Sequence, residues 1–189
     1  MVVLSPFSEL LAAAQTGDEA AFAAIFRATQ PRLLRYLRVM SAEAADDVAG
    51  ETWVDVAKGL GRFRGDEGAF RGWVFTMARH RLFDWQRAAA RRLADPVPTE
   101  EMAQLRARGD GDDPAATTET SQGTAEAIRL VALLPPDQAE VVLLRAVAGL
   151  DVSQVADITG KTAGAVRVLA HRGLRRLAEI LAVVERTEV

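Results

Sequence analysis

Glu43, Asp47 and Glu51 follow one another at four-residue intervals, with Asp46 beside them and Asp55 one turn further on. On a helix such a spacing places the carboxylates on one face. That face could hold a divalent cation or meet a basic protein surface. Carboxylate-bridged metal centres in helical bundles also draw on helices with a glutamate three residues before a histidine. Neither of the two histidines, His80 and His171, has that glutamate. Protein docking or plain solvation fits the acidic cluster better than catalysis.

Two other stretches carry the opposite charge. Residues 161–176 hold Lys161, Arg167, Arg172, Arg175 and Arg176 and no acid. A positive helix presented to solvent is what neutralising nucleic-acid phosphates requires. Arg167 and His171 are four apart, as are Val168 and Arg172, so all four can share one face toward a groove. Residues 79–92 hold five arginines against the single acid Asp84. Phe70, Trp73, Phe75, Phe83 and Trp85 lie on or beside that stretch. Basic and aromatic side chains interleaved in this way suit unstacked or flipped bases, although single rings such as Trp73 also serve as ordinary core.

The elements that must position these groups read as helices throughout. Phe7, Leu10, Leu11 and Ala14 recur at helical spacing and stop at Gly17, after which Asp18 opens a second helix. Its apolar stripe runs from Phe22 to Leu37 and contains Pro31, which predicts a kink or a loosened turn. Ser41 is placed to cap a third helix bearing Val48, Trp53, Val56 and Leu60, ended by Gly59 and Gly61. The turn at 64–68 then leads to a fourth helix over about 69–92. Thr124 can cap a fifth helix through Leu134, and Pro136 suits the first turn of the next, which Gly149 closes. Ser153 is read as the cap of a short helix ending at Gly160, and Thr162 as the cap of a last helix reaching about Val184. Short helix, glycine turn and longer helix form the pattern of a helix-turn-helix DNA reader. No alternating β-branched run predicts a sheet, so the expected fold is all-α.

Composition narrows the classes further. With 189 residues, 49% of them apolar and 26% charged, the chain has the material for one ordinary domain or two small ones. It has no cysteine, which removes disulfides, thiolate metal sites and a cysteine nucleophile. No apolar run approaches the roughly 20 residues that span a bilayer, and the N-terminus lacks the pattern of a secretion signal. A cytoplasmic location is expected.

The net charge of -3 conceals a division: +2 over 1–93, -5 over 94–124 and 0 over 125–189. The middle segment is rich in Pro, Gly, Asp and Thr and almost free of large apolar residues after Leu105. Such composition does not offset its own ordering entropy. It reads as a flexible acidic linker joining two small helical domains, 1–93 and 125–189.

Several fragments carry a resemblance. They are 17–22 (GDEAAF), 45–53 (ADDVAGETW), 62–65 (RFRG), 70–74 (FRGWV) and 78–80 (ARH) in the first half. The second half adds 134–138 (LPPDQ), 141–145 (VVLLR) and 164–167 (GAVR). In this order and spacing they resemble the extracytoplasmic-function group of bacterial RNA polymerase sigma factors, and the resemblance covers nearly the whole chain outside the linker. Two positions depart from the family pattern: Gly50 stands where many relatives have glutamine, and His80 where many have asparagine.

The resemblance implies a binding protein with no catalytic residue, metal or cofactor. Its first domain would dock on the polymerase clamp through Asp46, Asp47 and Glu51. The same domain would melt and read the −10 element through Arg64, Asp66, Phe70, Trp73, Arg79, His80 and Arg87. The second domain would read the −35 element through Lys161, Thr162, Arg167, Val168, His171, Arg172, Arg175 and Arg176. Core RNA polymerase, promoter DNA and an anti-sigma factor would be the partners, and the linker would run toward the RNA exit channel. The alternative is a stand-alone helix-turn-helix regulator.

Overall fold

Asp18 accepts a hydrogen bond from the Ala21 backbone N–H at 3.0 Å, and from that cap a 22-residue helix runs to Met40. In the computed structural model, which describes residues 6–94 and 122–187, this helix (α2, Glu19–Met40) is the central strut. It follows α1 (Pro6–Gln15) across a turn in which Gly17 takes φ 97°. Pro31 does not interrupt it: α2 passes through the proline as one helix. A mid-helix proline costs about 3 kcal/mol. Beyond it Leu33, Tyr36 and Leu37 are fully buried, each large apolar side chain contributing about 1.5–3 kcal/mol, so packing outweighs the lost hydrogen bond.

Ser41 was expected to cap the next helix through its side chain. It closes α2 instead, its backbone N–H reaching Leu37 O at 2.7 Å, with no side-chain cap bond. A 3-10 turn, Ala42–Ala44, intervenes before α3 (Ala45–Gly59). That turn buries Ala44 and Ala45 completely against the core. The fourth helix, α4 (Glu67–Ala94), begins two residues earlier than the periodicity predicted. Asp66 caps it, accepting from Ala69 N–H at 2.7 Å.

The second half opens with α5 (Gln122–Val131), which begins before Thr124, expected as its cap, and ends before Leu134 because Leu133 and Leu134 turn back onto Leu130 and Val131. Next comes α6 (Pro136–Val142), which continues into a π turn, Leu143–Val147. There Ala148 N–H bonds to Leu143 O at 3.0 Å, and the chain leaves through Gly149 at φ 68°. The last helices are α7 (Val152–Thr159) and α8 (Ala163–Thr187). The expected acidic linker, 94–124, lies outside the described residues over 95–121; Ala94 ends α4, and 122–124 form the start of α5 rather than linker. Among the described residues there is no strand, as the all-α reading expected.

The two sets of helices touch. α2 packs on α6 and the π turn, and α4 packs on α7. Their buried side chains form one apolar cluster, from Leu11 and Ile25 through Phe75 to Leu144 and Val166.

Candidate functional site

The helix-turn-helix geometry is built from local hydrogen bonds. Asp151, rather than Ser153, caps α7: its carboxylate accepts from Gln154 N–H at 2.8 Å, and Gln154 Oε1 accepts from Asp151 N–H at 2.9 Å. This reciprocal box satisfies two helix-end donors at once, which a serine two residues later cannot do. Ser153 donates its hydroxyl to Asp151 instead, at 2.7 Å. These donors hold the Asp151 carboxyl below its ordinary range, the Gln154 backbone N–H first among them.

α7 ends at Gly160 with φ 68°, a left-handed conformation that glycine adopts without strain. Thr162 Oγ1 then accepts from Ala165 N–H at 3.2 Å, capping α8. Val155, Ile158 and Val166 are buried where α7 and α8 cross. On the opposite side of α8, Arg167, Val168, His171 and Arg172 all face solvent. The structure brings together the four residues chosen for groove contact.

The remaining basic groups of this half differ from one another. Arg176 is exposed. Arg175 pairs with Glu179 one turn on at 3.0 Å, and Lys161 pairs with Asp137 of α6 at 3.1 Å.

On the first half, α3 turns its acids outward. Asp46, Asp47 and Glu51 are exposed. Asp46 lies 3.5 Å from Arg38 of α2, and Arg81 of α4 reaches Glu51 at 3.4 Å and Asp55 at 2.6 Å. Accepting from Arg81, Asp55 raises that guanidinium's already high pKa. Asp47, between Glu43 and Glu51 on the same face, is exposed. A side chain added at Gly50 would meet nothing within 4 Å, so glycine here flattens the acidic face rather than relieving a clash.

The residues assigned to the −10 element occupy unlike surroundings. Arg64 is exposed and donates to the Gly61 and Phe63 carbonyls. Asp66 is the α4 cap. Phe70 has no exposed surface. Trp73 stacks on Phe63, ring centroids 5.0 Å apart and planes at 28°. His80 is exposed, and Arg87 pairs with Asp84. Arg79 lies over the Phe83 ring at 4.4 Å, and its Nε donates to Glu140 of α6 at 2.8 Å.

Glu140 and Tyr36 escaped the sequence reading. Tyr36 OH donates to the same Glu140 oxygen at 3.2 Å. A local signal existed for Glu140 alone: it is the one acid in the otherwise apolar run Ala139–Leu144, and charge in such a run is rarely left unpaired. Among the described residues, no group of three or more acids and histidines is arranged to hold a metal ion.

A family model described as Sigma-70 region 2 matches residues 25–92, and one described as Sigma-70, region 4 matches residues 124–177. The ECF RNA polymerase sigma factor SigD of Mycobacterium tuberculosis is 32% identical over 177 residues, covering 90% of this chain and 81% of SigD. The ECF RNA polymerase sigma factor ShbA of Streptomyces griseus is 33% identical over 169 residues, covering 85% and 87%. Among solved structures, RpoE in complex with the anti-sigma factor NepR from Bartonella quintana shares the fold with a TM-score of 0.62 at 21% identity, covering 86% of this chain and 97% of that one. CnrH in complex with the cytosolic domain of CnrY does so with a TM-score of 0.59 at 22% identity, covering 92% and 96%.

Proposed function

The chain belongs to the extracytoplasmic-function group of RNA polymerase sigma factors, and from that premise we propose that it binds core RNA polymerase and directs it to specific promoters. Residues 1–93 are the polymerase-docking and −10 domain, 94–124 the tether, and 125–189 the −35 domain. The observation that carries the reading is the solvent-facing strip Arg167, Val168, His171 and Arg172, presented by a helix whose start is set by Gly160 and Thr162. In the major groove, arginine fits guanine O6 and N7, while valine offers apolar contact to a thymine methyl. Arg175, Arg176 and Lys161 take phosphates, and Thr162 orients the helix N-terminus toward the backbone.

The exposed carboxylates Asp46, Asp47 and Glu51 dock on a basic surface of the polymerase. Complementary charge of this kind speeds encounter and fixes register. Arg64, Asp66, Trp73, Arg79, His80 and Arg87 supply the −10 surface; Phe70, expected among them, is instead fully buried against Phe7 and Phe63 and packs beneath it. A stand-alone regulator would need only the C-terminal helices, whereas both halves carry the family's sequence. The chain performs no chemistry of its own. Work in the cytoplasm follows from the family; among the described residues no helix is long and apolar enough to cross a membrane.

An anti-sigma factor holds the chain inactive. In support, RpoE was solved in complex with an anti-sigma factor. A cleft of about 520 Å³ also opens between α2, α5, the π turn and α8, lined by Ile128, Val131, Leu143, Leu174 and Leu181 with Arg32 and Arg35 at its edge. It offers an apolar seat with a basic rim. Run-off transcription with purified core polymerase and genomic fragments tests the whole reading. Promoter-specific transcripts that require this chain support it; binding to duplex without any transcript from core polymerase overturns it.

A further inference from the structure

The basic residues around α8 fall into two groups. Arg167, Arg172 and Arg176 are exposed and, among the described residues, pair with no acid. Arg175 and Lys161 are held. Arg175 meets Glu179 one turn along the same helix, an exposed pair that travels with α8 and is worth little. The Lys161 pair is of another kind, because its acid, Asp137, belongs to the first turn of α6. Only 24% of the Lys161 side chain is exposed, against 65% for Asp137. Residues 161–176 hold five basic residues and no acid, and Asp137 is an acid from outside α8 set on one of them.

Lys161 is thereby fixed at both ends. Its backbone N–H donates to Ala156 O at 3.1 Å, and its Nζ lies 3.1 Å from Asp137 Oδ2. It stands in the turn between α7 and α8, one residue before Thr162 caps the helix that carries Arg167 and Arg172. A free lysine is an indifferent phosphate contact, since its flexible stem follows a phosphate into many registers. A lysine held at one point is not. An ammonium has three donors, so in one docking position Lys161 keeps Asp137 and adds a phosphate. In any other register it must leave Asp137 first, and a bare carboxylate then stands beside the negative backbone of the duplex.

We propose that Asp137 is a positioning residue for DNA reading: it holds Lys161 to the one phosphate that goes with the register set by Arg167 and Arg172, and so acts against non-specific binding. This rests on the −35 reading of α8 made above. Phosphate neutralisation by itself carries no sequence. An element that penalises the wrong register is therefore as much a part of specificity as the contacts that reward the right one.

Fluorescence anisotropy of the full-length chain on two duplexes tests this. One duplex has random sequence, and the other carries the −35 element of a promoter recovered by run-off transcription. Asp137→Asn keeps the shape and removes the charge. It should tighten binding to random duplex about threefold, the size of an exposed pair, and change −35 binding little, so that discrimination falls. In a Lys161→Gln background the same change should do nothing, because the effect runs through the lysine. Glu126→Gln, at an exposed acid of α5, alters the net charge equally and should move neither duplex. Circular dichroism checks that helix content is retained. An equal gain on both duplexes overturns the proposal, as does a gain that survives Lys161→Gln or is matched by Glu126→Gln. If Asp137→Asn fails to fold, Lys161→Gln decides: a larger loss on the −35 duplex supports the proposal, and equal losses overturn it. An unaltered chain that binds both duplexes alike overturns the −35 reading and the register with it. Failure of the proposal alone shows as intact discrimination that Asp137→Asn does not reduce.

Discussion

Gly173 of α8 lies against Val142 of α6 so closely that a Cβ added at Gly173 would stand 2.7 Å from Val142 Cγ2 and 3.5 Å from the Gln138 backbone oxygen. The helix that carries the solvent-facing strip Arg167, Val168, His171 and Arg172 is therefore seated on α6 at a point where a methyl group has no room. Val142 is short, branched and buried, so it cannot swing aside. Gly173→Ala should destabilise the protein by about 1–3 kcal/mol through overpacking, despite alanine's higher helix propensity. Urea unfolding checks it. A stabilised variant would mean that the two helices are not in contact at Gly173.

The acidic face of α3 should govern docking on core polymerase. Asp47 is open, and Glu51 shares Arg81 with Asp55. Replacing both Asp47 and Glu51 by lysine reverses the charge of the face at exposed positions, where substitutions away from special features cost about 0.5 kcal/mol or less. Co-elution with core polymerase should be lost while helix content stays. Retained binding at moderate salt would assign the docking elsewhere.

Much of this architecture is legible in the sequence where the determinants are local. Asp18, Gly160 and Thr162 each act on the residues beside them, and the structure uses them as their types predict. The choice between Asp151 and Ser153 was less local, since it turns on Gln154 answering the cap. Pro31 leaves α2 one continuous helix because propensity is a local quantity and the burial that offsets it is not. Tyr36, Arg79 and Glu140 come from three distant segments, and no spacing rule joins them. Arg79 was read from its basic, aromatic-rich stretch and from the resemblance; its present partner is visible only in three dimensions.

Tyr36 supplies a pH prediction. Burial first, then the neighbouring Glu140 carboxylate, raise its phenol well above the ordinary value near 10, with Arg79 acting in the opposite sense. The folded state thus retains a proton that the unfolded state gives up. Its contribution is complete below about pH 10 and is lost as pH rises from there through the raised value. Tyr36 is the chain's single tyrosine, so ultraviolet difference titration of tyrosinate reports this group alone. Ionisation should be delayed past the free-tyrosine midpoint and coincide with loss of helix signal. Tyr36→Phe should remove that part of the alkaline transition, at a cost of about 1–3 kcal/mol near neutrality for the lost bond to Glu140. An ordinary tyrosinate midpoint in a still-folded protein would contradict the buried placement.

The exposed strip of α8 should separate sequence reading from phosphate attraction. Arg167 and Arg172 are five apart, about 140° around the helix, and they flank Val168 and His171 on the solvent side. A bidentate arginine–guanine contact discriminates by about 1–3 kcal/mol. Arg167→Ala and Arg172→Ala should therefore weaken binding to the −35 sequence far more than to random duplex. Arg176, one turn beyond Arg172, is placed for the backbone, and Arg176→Ala should weaken both duplexes about equally and reduce the salt dependence by about one contact. Arg175 should matter less than Arg176, because Glu179 already holds its guanidinium at 3.0 Å and must be displaced before a phosphate is bound. Fluorescence anisotropy with both duplexes at several salt concentrations measures all four variants. Equal losses on both duplexes for Arg167→Ala and Arg172→Ala would make this face a non-specific clamp and move the −35 readout to other residues.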